Sequence, residues 1–279
     1  MSESPSPTVD RYAVVGNPVA HSLSPAIHAR FAADCGQSLV YERLLAPVDG
    51  FEDAVAAFRA AGGRGLNVTV PFKREAAALA DRPSERVRQA GAANTLGFDA
   101  DGIWADNTDG LGLVADLQGR LGMALAGARL VLLGAGGAAR GVIGPLLAAG
   151  VDRLVVVARR PGQVAELLAG FGDPRLAGGG FEDLARLRAD IAINATSAGL
   201  AGADLPIPPE FWPPLRLAYD MVYGTEPTPF MRAALAGGCA QASDGLGMLV
   251  EQAAESFALW RGVRPATAQV FAAVRAGIG

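Results

Sequence analysis

Short, mostly apolar runs punctuate this chain of 279 residues and read as strands: residues 12–16 (YAVVG), closed by Gly-Asn-Pro, then 39–45, 129–133 (RLVLL), 154–158 (LVVVA), 190–194 and 217–221. Residues 65–70 (GLNVTV) alternate polar and apolar and stop at Pro71, a further strand. Between these runs the apolar residues take helical spacing. Ser24-Pro25 offers an N-cap followed by proline at the first helical position; Ile27, Phe31 and Ala32 form the stripe, and Gly36 ends it. Helices are also predicted from Asp49 to about Ala61, where Gly62-Gly63 breaks the pattern, near 74–80 and 83–89, from Thr108 or Asp109 to about Leu121, over 139–149 ending at Gly150, and near 246–261 and 266–276. Residues 92–98 and 103–105 flank Asp101-Gly102, a hairpin signal.

Strands alternating with helices predict an α/β protein. Hydrophobic residues make up 51% and charged residues 19%, enough apolar matter for a sizeable core and too little charge for disorder. A net charge of −4 gives no basic footprint for nucleic acid. Cys35 and Cys239 form no CxxC pair, which argues against a disulfide framework or zinc knuckle and fits a reducing compartment. His21 and His28 are the only histidines, so no metal site is expected. Residues 1–8 lack the apolar core of a secretory signal, and no apolar run is long enough to span a bilayer; a cytoplasmic protein without membrane partners is expected. One count stands apart: Lys73 is the only lysine among 24 Lys and Arg. Arginine meets every need of a cation except release of a proton near neutral pH, so a lone lysine is a candidate acid and base; chance survival under a composition bias is the alternative.

The clearest unit spans residues 129–158. A strand runs into Gly134-Ala135-Gly136-Gly137-Ala138-Ala139-Arg140, which satisfies G-x-G-x-x-A, and a helix and second strand follow. The first glycine allows the tight turn, the second lets backbone approach a pyrophosphate, and Ala139 permits close helix–strand contact, with helix N–H groups facing the phosphate. The second strand ends in Ala158-Arg159-Arg160, and no carboxylate lies between Leu154 and Ala165. An NAD site wants an acid there for the ribose hydroxyl, whereas a guanidinium chelates a 2′-phosphate, so the position points to NADP. Two arginines solvating a surface loop is the plainer alternative.

Polar clusters gather in the first part of the chain: His21-Ser22-Leu23-Ser24-Pro25, Asn67 to Lys73, Ala93-Asn94-Thr95, and Asp106 to Gly110. Singly, these read as a helix cap, the polar face of a strand, ordinary strand polarity, and a turn with a cap. Together they form an ordered series: GNPxxHSxSPxxH (residues 16–28), GxNVTVPFK (65–73), AxNT (92–95), DNTDG (106–110), GAGGAxR (134–140), INATSxG (193–199), YDMxY with TPF (219–230) and DGLGMLVxQAA (244–254).

This series resembles shikimate dehydrogenases over residues 12–271. The resemblance implies an N-terminal α/β substrate domain (1–109 with 243–279) and a Rossmann-type NADP-binding domain (110–242), with the active site in the cleft between them. It implies reversible reduction of 3-dehydroshikimate to shikimate in the pathway to chorismate and the aromatic amino acids, by a monomer or homodimer. Ser22 and Ser24 would hold the substrate carboxylate; Asn67, Thr69, Asn94, Asp109 and Gln252 its hydroxyls, with Tyr223 nearby. Lys73 and Asp109 match the catalytic pair. Gly134, Ala135, Gly136, Gly137, Ala138, Ala158, Arg159, Arg160, Met221, Gly245 and Met248 match the cofactor contacts. The family usually carries Asn-Arg-Thr where this chain has Ala158-Arg159-Arg160, and a further arginine where it has Gln163, so the phosphate clamp is rearranged, with Arg160 a candidate substitute. Quinate or aminoshikimate dehydrogenases and a non-catalytic NADP-binding regulator are the rival readings. Quinate use would go with altered serines and NAD; a regulator has no use for both Lys73 and Asp109.

Overall fold

The computed structural model describes residues 9–196 and 204–278, so the tail 1–8 and the end of the INATSxG motif, Ser197 to Gly199, lie outside the described residues. The chain divides into two compact units: residues 1–88, 92–108 and 253–274 form the first, and 89–91, 109–252 and 275–279 the second.

In the first unit, β1 (Asp10–Gly16) is flanked in parallel by β2 (Leu39–Leu45) and β3 (Gly63–Val68). The antiparallel hairpin β5 (Thr95–Asp99) and β6 (Gly102–Asp106) continues the sheet, and the two-residue β4 (Arg82–Pro83) closes it, giving the order β2-β1-β3-β5-β6-β4. One face packs Phe51, Val55, Phe58, Phe72 and Val87 from α2 (Phe51–Ala60), α3 (Lys73–Leu79) and α4 (Glu85–Ala90) on alternate strand residues such as Ala13, Val15, Leu66 and Val68. The other face meets α1 (Ser24–Asp34) and the C-terminal half of α9 (Leu246–Arg261). There the rings of Phe31 and Phe257 meet edge-on at 5.8 Å, and Trp260 donates to the Leu96 carbonyl at 3.0 Å.

The second unit is an all-parallel sheet of order β12-β11-β10-β7-β8-β9, formed by β7 (Arg129–Leu133), β8 (Arg153–Val157), β9 (Leu176–Gly179), β10 (Ile191–Asn194), β11 (Leu217–Asp220) and β12 (Ala242–Ser243). This is the doubly wound dinucleotide-binding order, whose ligand crevice opens where the winding reverses, here between β7 and β10. Both faces are covered, which explains the unbroken apolar runs: Leu130, Leu132, Leu154 and Val156 enter one core and Val131, Leu133, Val155 and Val157 the other.

Several expectations shift. Ser24 is the first helical residue of α1 and not its cap; Leu23 takes that place, and Ser22 Oγ accepts from Ser24 N–H at 3.3 Å. Strand β3 starts two residues early, because the break is met by Gly62 alone at φ +84°, and ends at Val68, leaving Thr69 beyond it. The hairpin loop is Ala100-Asp101, since Gly102 pairs with Asp99. The helix expected to reach Leu121 is α-helical only over α5 (Asp109–Ala115) and opens into wider π-type turns over Asp116–Arg120. Among the described residues, β4, α7 (Pro161–Ala169), β9, α8 (Pro229–Ala236), β12 and the 3₁₀ turns Phe181–Arg186 and Pro209–Phe211 escaped notice. The substrate-side segment expected from 243 contrasts with a unit boundary at 252/253, because the first turns of α9 are packed inside the second unit, Met248 N–H donating to the Tyr219 hydroxyl.

Candidate active site

In the first unit the candidate residues collect at one end of the sheet. Strands β1 and β3 deliver their C-terminal ends there, and the antiparallel hairpin brings the start of β5 and the end of β6 to the same edge, Thr95 opposite Asp106. Asn67 is 6% exposed and therefore not the polar face of a solvated strand. Its amide oxygen accepts from the Tyr41 hydroxyl at 2.7 Å, and its Nδ2 reaches Ser256 Oγ at 2.9 Å and the Asn94 carbonyl at 3.2 Å. Asn94 Oδ1 accepts from Thr108 N–H at 2.8 Å and the Thr95 hydroxyl at 2.9 Å, and its Nδ2 donates to Thr108 Oγ1 at 2.9 Å. Ser256 Oγ lies 2.8 Å from Thr95 Oγ1 and 3.1 Å from Thr108 Oγ1. A buried lattice of uncharged donors and acceptors results, each rotamer fixed by its neighbours.

Around it, Ser22 and Ser24 place their hydroxyls 3.2 Å apart at the start of α1, and Arg43 pins the Ser22 carbonyl with two bonds of 3.1 and 2.6 Å. With no capping duty, the Ser24 hydroxyl stands at a helix N-terminus, where an anion is favoured. Thr69 is anchored through its N–H to the Val15 carbonyl at 2.9 Å. Half-buried Lys73 opens α3, and its carbonyl accepts from Ala93 N–H at 2.8 Å, next to Asn94. Within DNTDG the roles separate. Asp106 is held by Arg86 (3.0 and 2.6 Å) and Ser84 (2.8 Å), Asn107 donates to the Ala92 carbonyl at 2.9 Å, and Thr108 belongs to the lattice. His28 sits behind this region, fully buried, stacked on Tyr41 at 4.1 Å and 6° with neither ring nitrogen hydrogen-bonded; burial pushes its pKa down to about 3.

In the second unit Asp109 begins α5, 5% exposed. Gly112, one turn later, lies against α9: a Cβ there would come within 2.6 Å of Gln252 N, so Asp109 and Gln252 belong to facing segments. Gln252 itself donates to the Leu249 carbonyl at 2.9 Å. The nucleotide turn has the geometry its sequence predicts. Gly134 sits at φ +112°, where a side chain is strained and would also press on the Ala195 carbonyl at 3.0 Å. Gly136 and Gly137 open α6 (Gly137–Ala148) with no capping side chain and with open space where their Cβ atoms would stand, leaving a bare helix N-terminus in front of β7. Fully buried Ala139 seats the helix on the sheet. Ala158 is buried at the end of β8, and Arg159 and Arg160 are exposed beyond it, with no acid beside them in sequence. This donor set fits a nucleotide with an extra phosphate. Met221 N–H donates to the Asn194 carbonyl at 2.9 Å, Gly245 N–H to the Val222 carbonyl at 3.1 Å, and Met248 is 7% exposed. Burial and then the Asp244 charge raise the pKa of Tyr223.

Residues 14–96 match the family model for the shikimate dehydrogenase substrate binding domain, and residues 245–275 that for the shikimate 5′-dehydrogenase C-terminal domain. A curated relative from Aromatoleum aromaticum, named shikimate dehydrogenase (NADP(+)), is 57% identical over 272 residues, covering 96% of this chain and 98% of the relative. The chain belongs to the shikimate dehydrogenase family. Among solved structures, an Ael1 enzyme from Pseudomonas putida superposes with a TM-score of 0.91 at 46% identity, covering 95% of this chain and 97% of the other. The shikimate 5-dehydrogenase of Thermus thermophilus, solved in complex with NADP(H) and shikimate, gives 0.86 at 35% identity over 96% and 99%. Family members thus share both units and not merely the dinucleotide-binding one.

Sequence reasoning named Thr95 and Thr108 only as members of polar clusters and passed over Tyr41 and Ser256. Of the latter two, Ser256 left a signal: with Gln252 it makes a polar pair four residues apart on one helix.

Proposed function

We propose that this chain catalyses the reversible reduction of 3-dehydroshikimate by NADPH and a proton to shikimate and NADP, a step of the shikimate pathway. The observation that carries the reading is the buried lattice of Asn67, Asn94, Thr95, Thr108 and Ser256, bordered by the paired hydroxyls of Ser22 and Ser24 and by Lys73. A ring bearing several hydroxyls and a carboxylate needs fixed uncharged donors and acceptors on one side and an anion site on the other. Ser22 and Ser24 receive the carboxylate. Asn67, Thr69, Asn94, Asp109, Gln252 and Tyr223 sort the hydroxyls.

NADPH supplies the hydride when bound. The protein supplies the proton: the Lys73 ammonium donates to the oxygen that becomes an alcohol, and the neutral amine takes it back in reverse. Asp109, buried at the start of α5, orients the Lys73 side chain in this reading. Gly134, Ala135, Gly136, Gly137 and Ala138 cradle the pyrophosphate, Ala158, Arg159 and Arg160 the adenosine 2′-phosphate, and Met221, Gly245 and Met248 flank the nicotinamide. The substrate-binding part is the first unit, including the C-terminal segment from Ala253.

The test is to mix the protein with shikimate or quinate and NADP or NAD and follow absorbance of the reduced cofactor. Turnover with shikimate and NADP well above the other three pairs is expected. Turnover centred on quinate or NAD, or none at all, overturns the assignment.

A further inference from the structure

The N-terminus of α9 carries Gly245 and Met248, and a buried polar system within the second unit holds it. Tyr219, on β11, is completely buried, and its hydroxyl accepts from Met248 N–H at 3.3 Å while donating to Asp116 Oδ2 at 2.8 Å. Asp116 is 1% exposed and is gripped by Arg120 with bonds of 2.6 and 2.9 Å; the same guanidinium reaches Ser243 Oγ at 3.0 Å, two residues before Gly245. Asp116 also lies against α9 itself, since a Cβ on Gly247 would fall 2.0 Å from its carboxylate.

These residues are placed by the π-type turns that replace the end of α5 over Asp116–Arg120. A local widening of this kind re-aims side chains and is found at functional positions more than elsewhere. Burial, and then the Asp116 charge, raise the pKa of the Tyr219 hydroxyl, so it keeps its proton and remains a donor to Asp116.

We infer that Tyr219, backed by Asp116 and Arg120, is a positioning residue for the cofactor: from the sheet it caps the start of α9 and thereby sets where Met248 meets the nicotinamide. The inference rests on the proposed role of Met248 as a cofactor contact. A side chain from a strand does here what a capping residue does within its own segment, so the height of the α9 N-terminus above the sheet is tied to a phenol of fixed length.

The experiment compares Tyr219→Phe and Met248→Ala with the parent, by NADPH fluorescence titration and by separate KM values for NADPH and 3-dehydroshikimate. Tyr219→Phe is expected to weaken NADPH by roughly three- to tenfold, the scale of one neutral hydrogen bond, with KM for the ketone unchanged. Amide exchange should quicken over residues 246–250 while β7 and β8 keep their protection. Should Tyr219→Phe fail to fold, Asp116→Asn is read in the same way, with NADPH weakened and the ketone KM fixed. Parental NADPH affinity in Tyr219→Phe, or in Asp116→Asn where that variant stands in, overturns the inference, as does an equal rise in both KM values. If Met248→Ala weakens NADPH and Tyr219→Phe does not, only the positioning role fails. If Met248→Ala leaves NADPH affinity untouched, the role of Met248 fails and the inference with it.

Discussion

The polar edge of the first unit and the glycine turn of the second are built in opposite ways. The first is crowded: Asn67 and Asn94 are 6% and 3% exposed, and their amides are fixed by Tyr41, Thr95, Thr108 and Ser256 before any ligand arrives. The second is bare: Gly136 and Gly137 present backbone to open space, and the charges proposed for phosphate, Arg159 and Arg160, stand in solvent. The difference matches what each is proposed to read. Neighbouring hydroxyls on a ring differ only in direction, so the groups that sort them must not rotate. A pyrophosphate and a phosphate are strong, diffuse anions, for which a helix N-terminus and mobile guanidinium groups suffice.

Changes to the crowded region should therefore cost turnover or substrate, and changes to the bare one only cofactor. The largest effect is expected at Lys73. Lys73→Arg keeps the charge but cannot give up a proton, and kcat should fall about a hundredfold or more, with NADP binding retained. Near-parental kcat, or an unchanged pH profile, would overturn its role. Next, Ser22→Ala with Ser24→Ala removes hydroxyl donors to a carboxylate; KM for shikimate should rise by roughly thirtyfold and the Kd for NADP stay put. A collapse of NADP affinity instead would place these serines on the wrong ligand. Replacing Arg159 and Arg160 together with Ala should raise KM for NADP by about tenfold and leave NAD nearly unaffected. Since both side chains are exposed, the parental preference should shrink as salt is added. Equal efficiency with both cofactors in the parent would remove the basis of this expectation.

The last expectation separates the regions by stability. His28 in the folded chain titrates at about 3, against 6.5 as an ordinary imidazole, because burial disfavours its charged form. The unfolded chain therefore takes up a proton that the folded one does not. The contribution to stability is whole above pH 6.5 and is lost as pH falls from 6.5 toward 3, by at most about tenfold in the unfolding equilibrium per pH unit. Amide protection in β1 and β2 should weaken over this window more than in β7 and β8, and His28→Leu should flatten the difference. Equal weakening in both units counts against it.

Much of the bare region was legible because it is local: turn, helix start and strand end lie within residues 129–160 of one βαβ unit. The crowded region was legible only as residue types. Asn67 meets Ser256 across 189 positions, and no periodicity reports such a pairing. The position of Ser24 inside α1 was missed because Ser-Pro serves equally as cap and as first turn. Strand β9 (LAGG) lacks the β-branched residues that mark strands, and it persists because β8 pairs with it. Helix α8 does carry a start signal in the dipeptide Thr228-Pro229, and the Thr228 hydroxyl accepts from Met231 N–H at 3.2 Å.

The division of α9 sets an order of events at the ribosome. The main body of the second unit, 109–252, is unbroken in the chain, whereas the first leaves off at Thr108 and resumes only at Ala253. A nascent chain can thus complete most of the later-encoded unit while the earlier one still waits for Ser256, Phe257 and Trp260. Until these emerge, Phe31 lacks its facing ring and Asn67 and Thr95 lack the Ser256 hydroxyl they share. The part synthesised first is the last to close, and it is the sheet of β1 to β6 with the α9 side of one face still uncovered that a chaperone would meet.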